Sequence, residues 1–97
     1  MTDQPLTADE IQVGRVYSGK NPSLIGLPRV YNDRQVVWID PTRTRVQYDG
    51  PAVAIGRHRP IVRMDAFLKW ARADVTDQCP PGDWRGASDS IKEQNRV

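Results

Sequence analysis

Apolar positions in this chain come in short bursts separated by turn residues, and within the bursts a period of two is commoner than the period of a helix. The clearest burst is residues 35–40, QVVWID, rich in β-branched and aromatic side chains, which predicts a strand. Pro41-Thr42-Arg43-Thr44 then reverses the chain, because proline restricts the backbone as it leaves a strand. Residues 45–48 return as the partner strand, with Val46 and Tyr48 on one face and Arg45 and Gln47 on the other. Val36 to Ile39 are apolar on both faces, which places that strand centrally or beneath a helix. Shorter strands are predicted at 15–17, 29–31, 52–55 and 61–64, with Asn32-Asp33, Asp49-Gly50-Pro51 and Gly56 as the breaks between them.

The spacing predicts one short α-helix over 65–73. Asp65 can cap its first amides, Phe67, Trp70 and Ala71 recur at i, i+3 and i+4 and would face the sheet, and Lys69 and Arg72 would face water. Nearer the N-terminus, Thr7 with Glu10 three positions on has the spacing of a capping box, which predicts a single helical turn ended by Gly14. The stretch SGKNPSLIGLP at 18–28 reads as a loop whose apolar middle, Leu24, Ile25 and Leu27, either folds back onto the core or forms a contact site. The expected core is Val16, Val36, Val37, Trp38, Ile39, Val46, Tyr48, Val53, Ile61, Val62, Phe67 and Trp70. The fold class that follows is mainly β with one helix: a small bent antiparallel sheet, or an SH3-like partial barrel, of four to five strands capped by the helix.

With 97 residues the chain has room for one domain with a modest core. Residues 1–10 are expected to be a flexible N-terminus carrying the helical turn, and 11–79 a single globular domain. Residues 80–97 are expected to be a largely disordered tail, because from Val75 onward only six of 23 residues are apolar. Trp84 is the exception in that tail and is a candidate contact residue. No apolar run approaches the roughly 20 residues needed to cross a bilayer, and the first ten residues lack the pattern of a secretory signal, so a soluble, cytoplasmic protein without membrane contact is expected.

Charge changes the picture more than length does. Residues 1–13 carry a net −3, residues 14–72 a net +7, and residues 73–97 a net −2. A basic centre between acidic ends directs attention to the arginines at 15, 29, 34, 43, 45, 57, 59 and 63. Arginine engages phosphate and carboxylate in a bidentate fashion and stacks on planar groups, and Tyr17, Tyr31, Trp38 and Tyr48 are the candidate stacking partners. Against a nucleic-acid reading, arginine outnumbers lysine eleven to three, as a GC-rich coding sequence also produces. Aromatics at alternating strand positions are ordinary core, and the acidic ends compete with phosphate for the same patch.

Catalytic chemistry finds little support. His58 is the single histidine and stands between two arginines; no pattern assembles a nucleophile, a base and an orienting group. The single cysteine, Cys79, excludes an internal disulfide, and no metal-ligand spacing or glycine-rich phosphate loop is present. Neither an enzyme activity nor a cofactor nor a metal is expected.

The runs VYNDRQVVWID and RVQYDGPAVAIGRHRPIVRMDAFLKWARADVT resemble small proteins encoded by bacteriophages and prophages of Gram-negative bacteria, over about residues 11–79. The resemblance implies a phage setting and carries no site residue. The function expected on these grounds is a non-enzymatic binding module, a phage or prophage accessory protein whose partner is another protein or a second copy of itself. Its contact residues would be Leu24, Ile25, Leu27 and Trp84. The alternative is nucleic-acid binding through a basic sheet face made by Arg45, Arg57, Arg59 and Arg63.

Overall fold

Five strands form one antiparallel sheet in a computed structural model that describes residues 6–26, 29–53, 57–80 and 83–86. In chain order the strands are β1 (Val16–Gly19), β2 (Leu24–Ile25), β3 (Val30–Tyr31), β4 (Arg34–Ile39), β5 (Arg45–Asp49) and β6 (Ile61–Arg63); the helix α1 (Met64–Trp70) and strand β7 (Ala71–Asp74) follow. The sheet order is β6-β5-β4-β1-β7, and β2 pairs with β3 in a separate two-stranded sheet. Short 3₁₀ turns lie at Ala8–Glu10 and Thr76–Gln78. The mainly β class and the single helix are as the sequence predicts. The sheet is open, with β6 and β7 at its edges, and does not close into a barrel.

Phe67 organises the core. It is fully buried on α1, and three rings from three elements close around it: Tyr17 edge-on at 5.7 Å and 89°, Trp70 at 5.5 Å and Tyr48 at 6.2 Å. Edge-on contact sets the positive rim of one ring against the negative face of another. Ile11, Val36, Val46, Met64 and Ala71 complete the buried cluster, with Ile39, Val62 and Leu68 packed against it. Tyr17 is buried without an orphan hydroxyl, since its Oη donates to the Glu10 carbonyl and accepts from the Gln12 amide, each at 2.9 Å. Burial holds this phenol above its usual pKa.

The turn at Ala8–Glu10 forms where Thr7 and Glu10 predict it, and the Glu10 carboxylate accepts from the Thr7 amide at 2.8 Å. It is tied to the sheet by Arg43, whose Nη2 donates to the Ala8 and Ile11 carbonyls at 2.7 and 2.6 Å. Arg43 has φ of 58°. That left-handed conformation is costly for a side-chain-bearing residue, and it lets the turn after β4 point the guanidinium at the N-terminal turn. Asp40 holds the same turn from within: its carboxylate accepts from the Thr42 hydroxyl at 2.6 Å and from the Thr44 and Arg45 amides at 2.7 and 2.8 Å.

The helix departs from expectation at both ends. It begins one residue earlier, with Arg63 in the cap position, so Asp65 stands in the first turn and its carboxylate accepts the Ala66 amide at 2.8 Å. It stops at Trp70, because 71–74 pair with β1 in the register Tyr17↔Asp74, Ser18↔Ala73 and Gly19↔Ala71. The run ARAD has good helical propensity, but adding a strand beside the buried β1 outweighs propensities worth only tenths of a kcal/mol per residue. The strand predicted at 52–55 is also revised. Ala52 and Val53 lie in a turn closed by the Val53 amide on the Gly50 carbonyl at 2.9 Å, and positions 54 and 55 lie outside the described residues.

Candidate functional site

Trp38 was expected in the core and stands on the surface, 39% exposed. The cause is a register shift between β4 and β5: Val36 faces Tyr48, Trp38 faces Gln47 and Ile39 faces Val46, leaving Val37 without an opposite number. One extra residue in a strand moves everything beyond it to the other face. Strict alternation would put Trp38 inward with Val36; the bulge turns it outward and returns Ile39 to the core. Ile61, also expected to be buried, is 53% exposed for a simpler reason, since its partner across the ladder is the outward-facing Gln47.

The outer face of β4–β5–β6 is therefore built in rows. One row reads Trp38, Gln47, Ile61 across three strands, and the next places Arg45 directly opposite Arg63. Val46 and Val62, between those rows, point inward to the core. Like charges directly opposite across a strand pair are unfavourable. Arg63 is compensated by Asp65 at 3.2 Å, an exposed pair in which the guanidinium's hydrogen bond holds the Asp65 carboxyl below its usual range. Arg59 lies within 3.5 Å of Asp49 at the far end of the face, and its carbonyl accepts from Gln47 Nε2 at 3.1 Å. The Arg45 guanidinium has no carboxylate or carbonyl partner among the described residues.

Of the four arginines singled out from the sequence, the structure thus brings Arg45 and Arg63 together and sets Arg59 at the margin of the same face. Arg57 is elsewhere, on a cleft beyond the β5 end. The wider basic stripe is broken up: Arg15 pairs with Asp74 at 2.8 Å, Arg43 is the staple described above, and Arg34 lies against Tyr48 and Trp70 on the helix side of the sheet. The aromatic platform dissolves with it. Tyr17 is core, Tyr31 is covered by Arg85 at 4.2 Å and Tyr48 by Arg34 at 4.3 Å, which leaves Trp38 as the one outward ring of the four candidates.

Leu24 and Ile25 lie half-buried in the β2–β3 hairpin, while Leu27 falls outside the described residues. Trp84 is half-buried and lines a shallow cleft of about 390 Å³ with Val16, Gln35, Thr76 and Cys79. Residues 83–86 are held against the sheet by Arg85. Its guanidinium donates to both Asp33 oxygens at 3.0 and 3.1 Å, and the neighbouring Gly86 bridges to Val30. The rest of 80–97 beyond Pro80 lies outside the described residues.

A second concavity of about 390 Å³ opens around His58, lined by Asp33, Arg34, Tyr48, Gly50, Ala52, Val53, Arg57 and Pro60. Its lining includes Arg34, one of the stripe arginines but not one of the four assigned to the basic sheet face. The Arg34 guanidinium lies over the rings of both Tyr48 and Trp70, 4.3 and 4.0 Å from their centroids. No sequence signal marks that cluster, because the two rings stand 14 and 36 positions from Arg34 and meet it only through the β4–β5 ladder and the helix. Among the described residues no two ionisable side chains lining this cleft are hydrogen-bonded to one another. No cluster of three or more metal-ligating side chains is found among the described residues, nor any helix long and apolar enough to cross a membrane.

The chain matches no family model, no curated protein and no solved structure.

Proposed function

We propose that this protein is a non-enzymatic binding module that docks a partner protein on the outer face of β4–β5–β6. The observation that carries the reading is the row Trp38–Gln47–Ile61, which exposes two large apolar side chains, one on either side of Gln47, with Arg45 and Arg63 in the adjoining row. Centres of protein interfaces are enriched in tryptophan and arginine and are ringed by polar groups. Here Asp49 with Arg59 and Asp65 with Arg63 form such a rim. The carboxylates also disfavour a phosphate backbone, because each sits against an arginine that phosphate would need. Arg45, without a carboxylate partner among the described residues, asks for one from outside, so the fitting surface is apolar at its centre with an acidic side chain beside it. A second copy fits less well, since stacking this face on itself brings Arg45 and Arg63 against their own kind. The resemblance to phage-encoded proteins supplies the biological setting for the proposal, which the neighbouring genes test.

The test compares wild type with Trp38→Ala, Ile61→Ser and Arg45→Glu. A partner captured from host lysate and then purified should bind wild type in moderate salt, and each variant at least about tenfold more weakly, as hot-spot losses of about 1.4 kcal/mol or more imply. Equal binding by all four proteins would overturn the reading. So would tight binding of duplex DNA with log K falling by about 0.9 per phosphate contact per log unit of salt, which is the signature of the nucleic-acid alternative.

A further inference from the structure

Arg34 is difficult to explain as scaffold. It is half-buried on the helix side of the sheet, opposite the docking face, and desolvation holds its pKa below the usual guanidinium value. Its Cζ lies over two rings, 4.3 Å from the Tyr48 centroid and 4.0 Å from the Trp70 centroid, and no carboxylate or carbonyl accepts from its N–H groups among the described residues. A guanidinium packed against two rings is held in place while its donors keep their fixed, planar fork. Every other described arginine with a comparable degree of burial has an acceptor: Arg85 has Asp33 and Gln78, and Arg15 has Asp74. Arg34 alone combines a rigid orientation with an unanswered fork, and it opens onto the cleft of about 390 Å³ that also holds Arg57 and His58.

We infer that this cleft binds a small organic carboxylate, with the carboxylate lying in the plane of the Arg34 guanidinium and the body of the ligand against Ala52, Val53 and Pro60. The volume lies at the lower end of ligand pockets, which run from roughly 300 Å³ upward. The charge balance favours an anion. Asp33, the acidic group in the lining, is already answered by both Nε and Nη2 of Arg85, so Arg34 and Arg57 line the cleft without an acidic partner among the described residues. The planar carboxylate is preferred to phosphate because a fork held edge-on matches two coplanar oxygens, and because the apolar wall offers nothing to the further oxygens of a phosphate.

Benzoate is a suitable probe, with benzamide as its uncharged isostere and inorganic phosphate as the competing oxyanion. Titrations followed by ¹H–¹⁵N NMR at constant ionic strength should show saturable shifts with benzoate at the Arg34 Nε–H and at the Gly50 and Val53 amides. Benzamide and phosphate should each bind at least tenfold more weakly. Arg34→Lys, which keeps the charge and loses the fork, should weaken benzoate at least tenfold. Arg57→Ala, an exposed change that leaves the core intact, should weaken it severalfold whatever happens to the stability of the Arg34 variant. Equal binding of benzamide, tighter binding of phosphate, or a benzoate affinity indifferent to both substitutions would each overturn the inference. None of these results bears on the docking face, which lies on the other side of the sheet.

Discussion

Removing Arg85 should cost this protein a large part of its stability, although the residue lies in a stretch whose composition reads as tail. The Asp33 side chain is fully buried and the Arg85 side chain 19% exposed; they share two hydrogen bonds of 3.0 and 3.1 Å. Arg85 also donates to Gln78 Oε1 at 3.2 Å and lies over the Tyr31 ring at 4.2 Å. Arg85→Met keeps most of the stem that covers Tyr31 and leaves the buried carboxylate without its cation. Breaking one side of a buried pair costs about 3–5 kcal/mol, against about 5–15 kcal/mol of total stability for a domain. Arg63→Met is the control: its pair with Asp65 is 80% and 63% exposed, and surface pairs of that kind contribute about 0–1 kcal/mol. Urea unfolding of the two variants reads the difference directly, and in thermal unfolding the Arg85 variant should lose more than about 10 °C. A cycle with Asp33→Asn should show a coupling above about 1 kcal/mol. If Arg85→Met loses no more than Arg63→Met, residues 83–86 do not clamp the sheet and the account of Asp33 is wrong.

Gly19→Ala should destabilise by about 1–3 kcal/mol, because a Cβ there would stand 2.6 Å from Trp70 Nε1; tryptophan fluorescence should shift as that ring leaves Arg34, and an unperturbed spectrum would refute it. Asp40 is held well below the usual carboxylate range, chiefly by the Thr42 hydroxyl and then by the Arg45 amide. Its contribution is therefore complete above the ordinary value of 3.8 and is lost as pH falls below it, so the stability gap between wild type and Asp40→Asn should narrow in acid. A gap that widens below pH 4 would reverse the assignment. The Cys79 thiol is pushed up first by burial and then by the charge of Asp33. Alkylation at pH 8 should run on the order of tenfold slower in the native protein than in urea, and equal rates would show the thiol to be exposed.

Pattern alone was sufficient wherever a side chain's environment depends on near neighbours. The strands at 34–39 and 45–49, the turn between them, the helical turn at Thr7–Glu10 and the apolar stripe through Phe67 and Trp70 all follow from spacings of two, three or four residues. The candidate docking face was half legible in the same way, because Arg45 and Gln47 alternate with Val46 and Tyr48. Its defining residue was not, since Trp38 turns outward through a bulge at Val37 that depends on how β5 registers against β4. Helix length was misjudged for a related reason: residues 71–74 suit a helix in isolation and become a strand because β1 presents an unfilled edge to them.

What the chain by itself determined is the class: short alternating apolar runs commit it to a small antiparallel sheet with one helix, because burial on one face demands that period. What only the tertiary structure decided is the use of its charges. Ion pairs such as Asp33 with Arg85 and Arg15 with Asp74 join positions 52 and 59 residues apart, and electrostatic attraction depends on distance in space, to which distance along the chain is no guide. The same folding that commits Arg15, Arg43 and Arg85 to the scaffold leaves Arg45 on one side of the sheet and Arg34 on the other without acceptors among the described residues, and those two residues mark the surfaces where a partner and a ligand are expected.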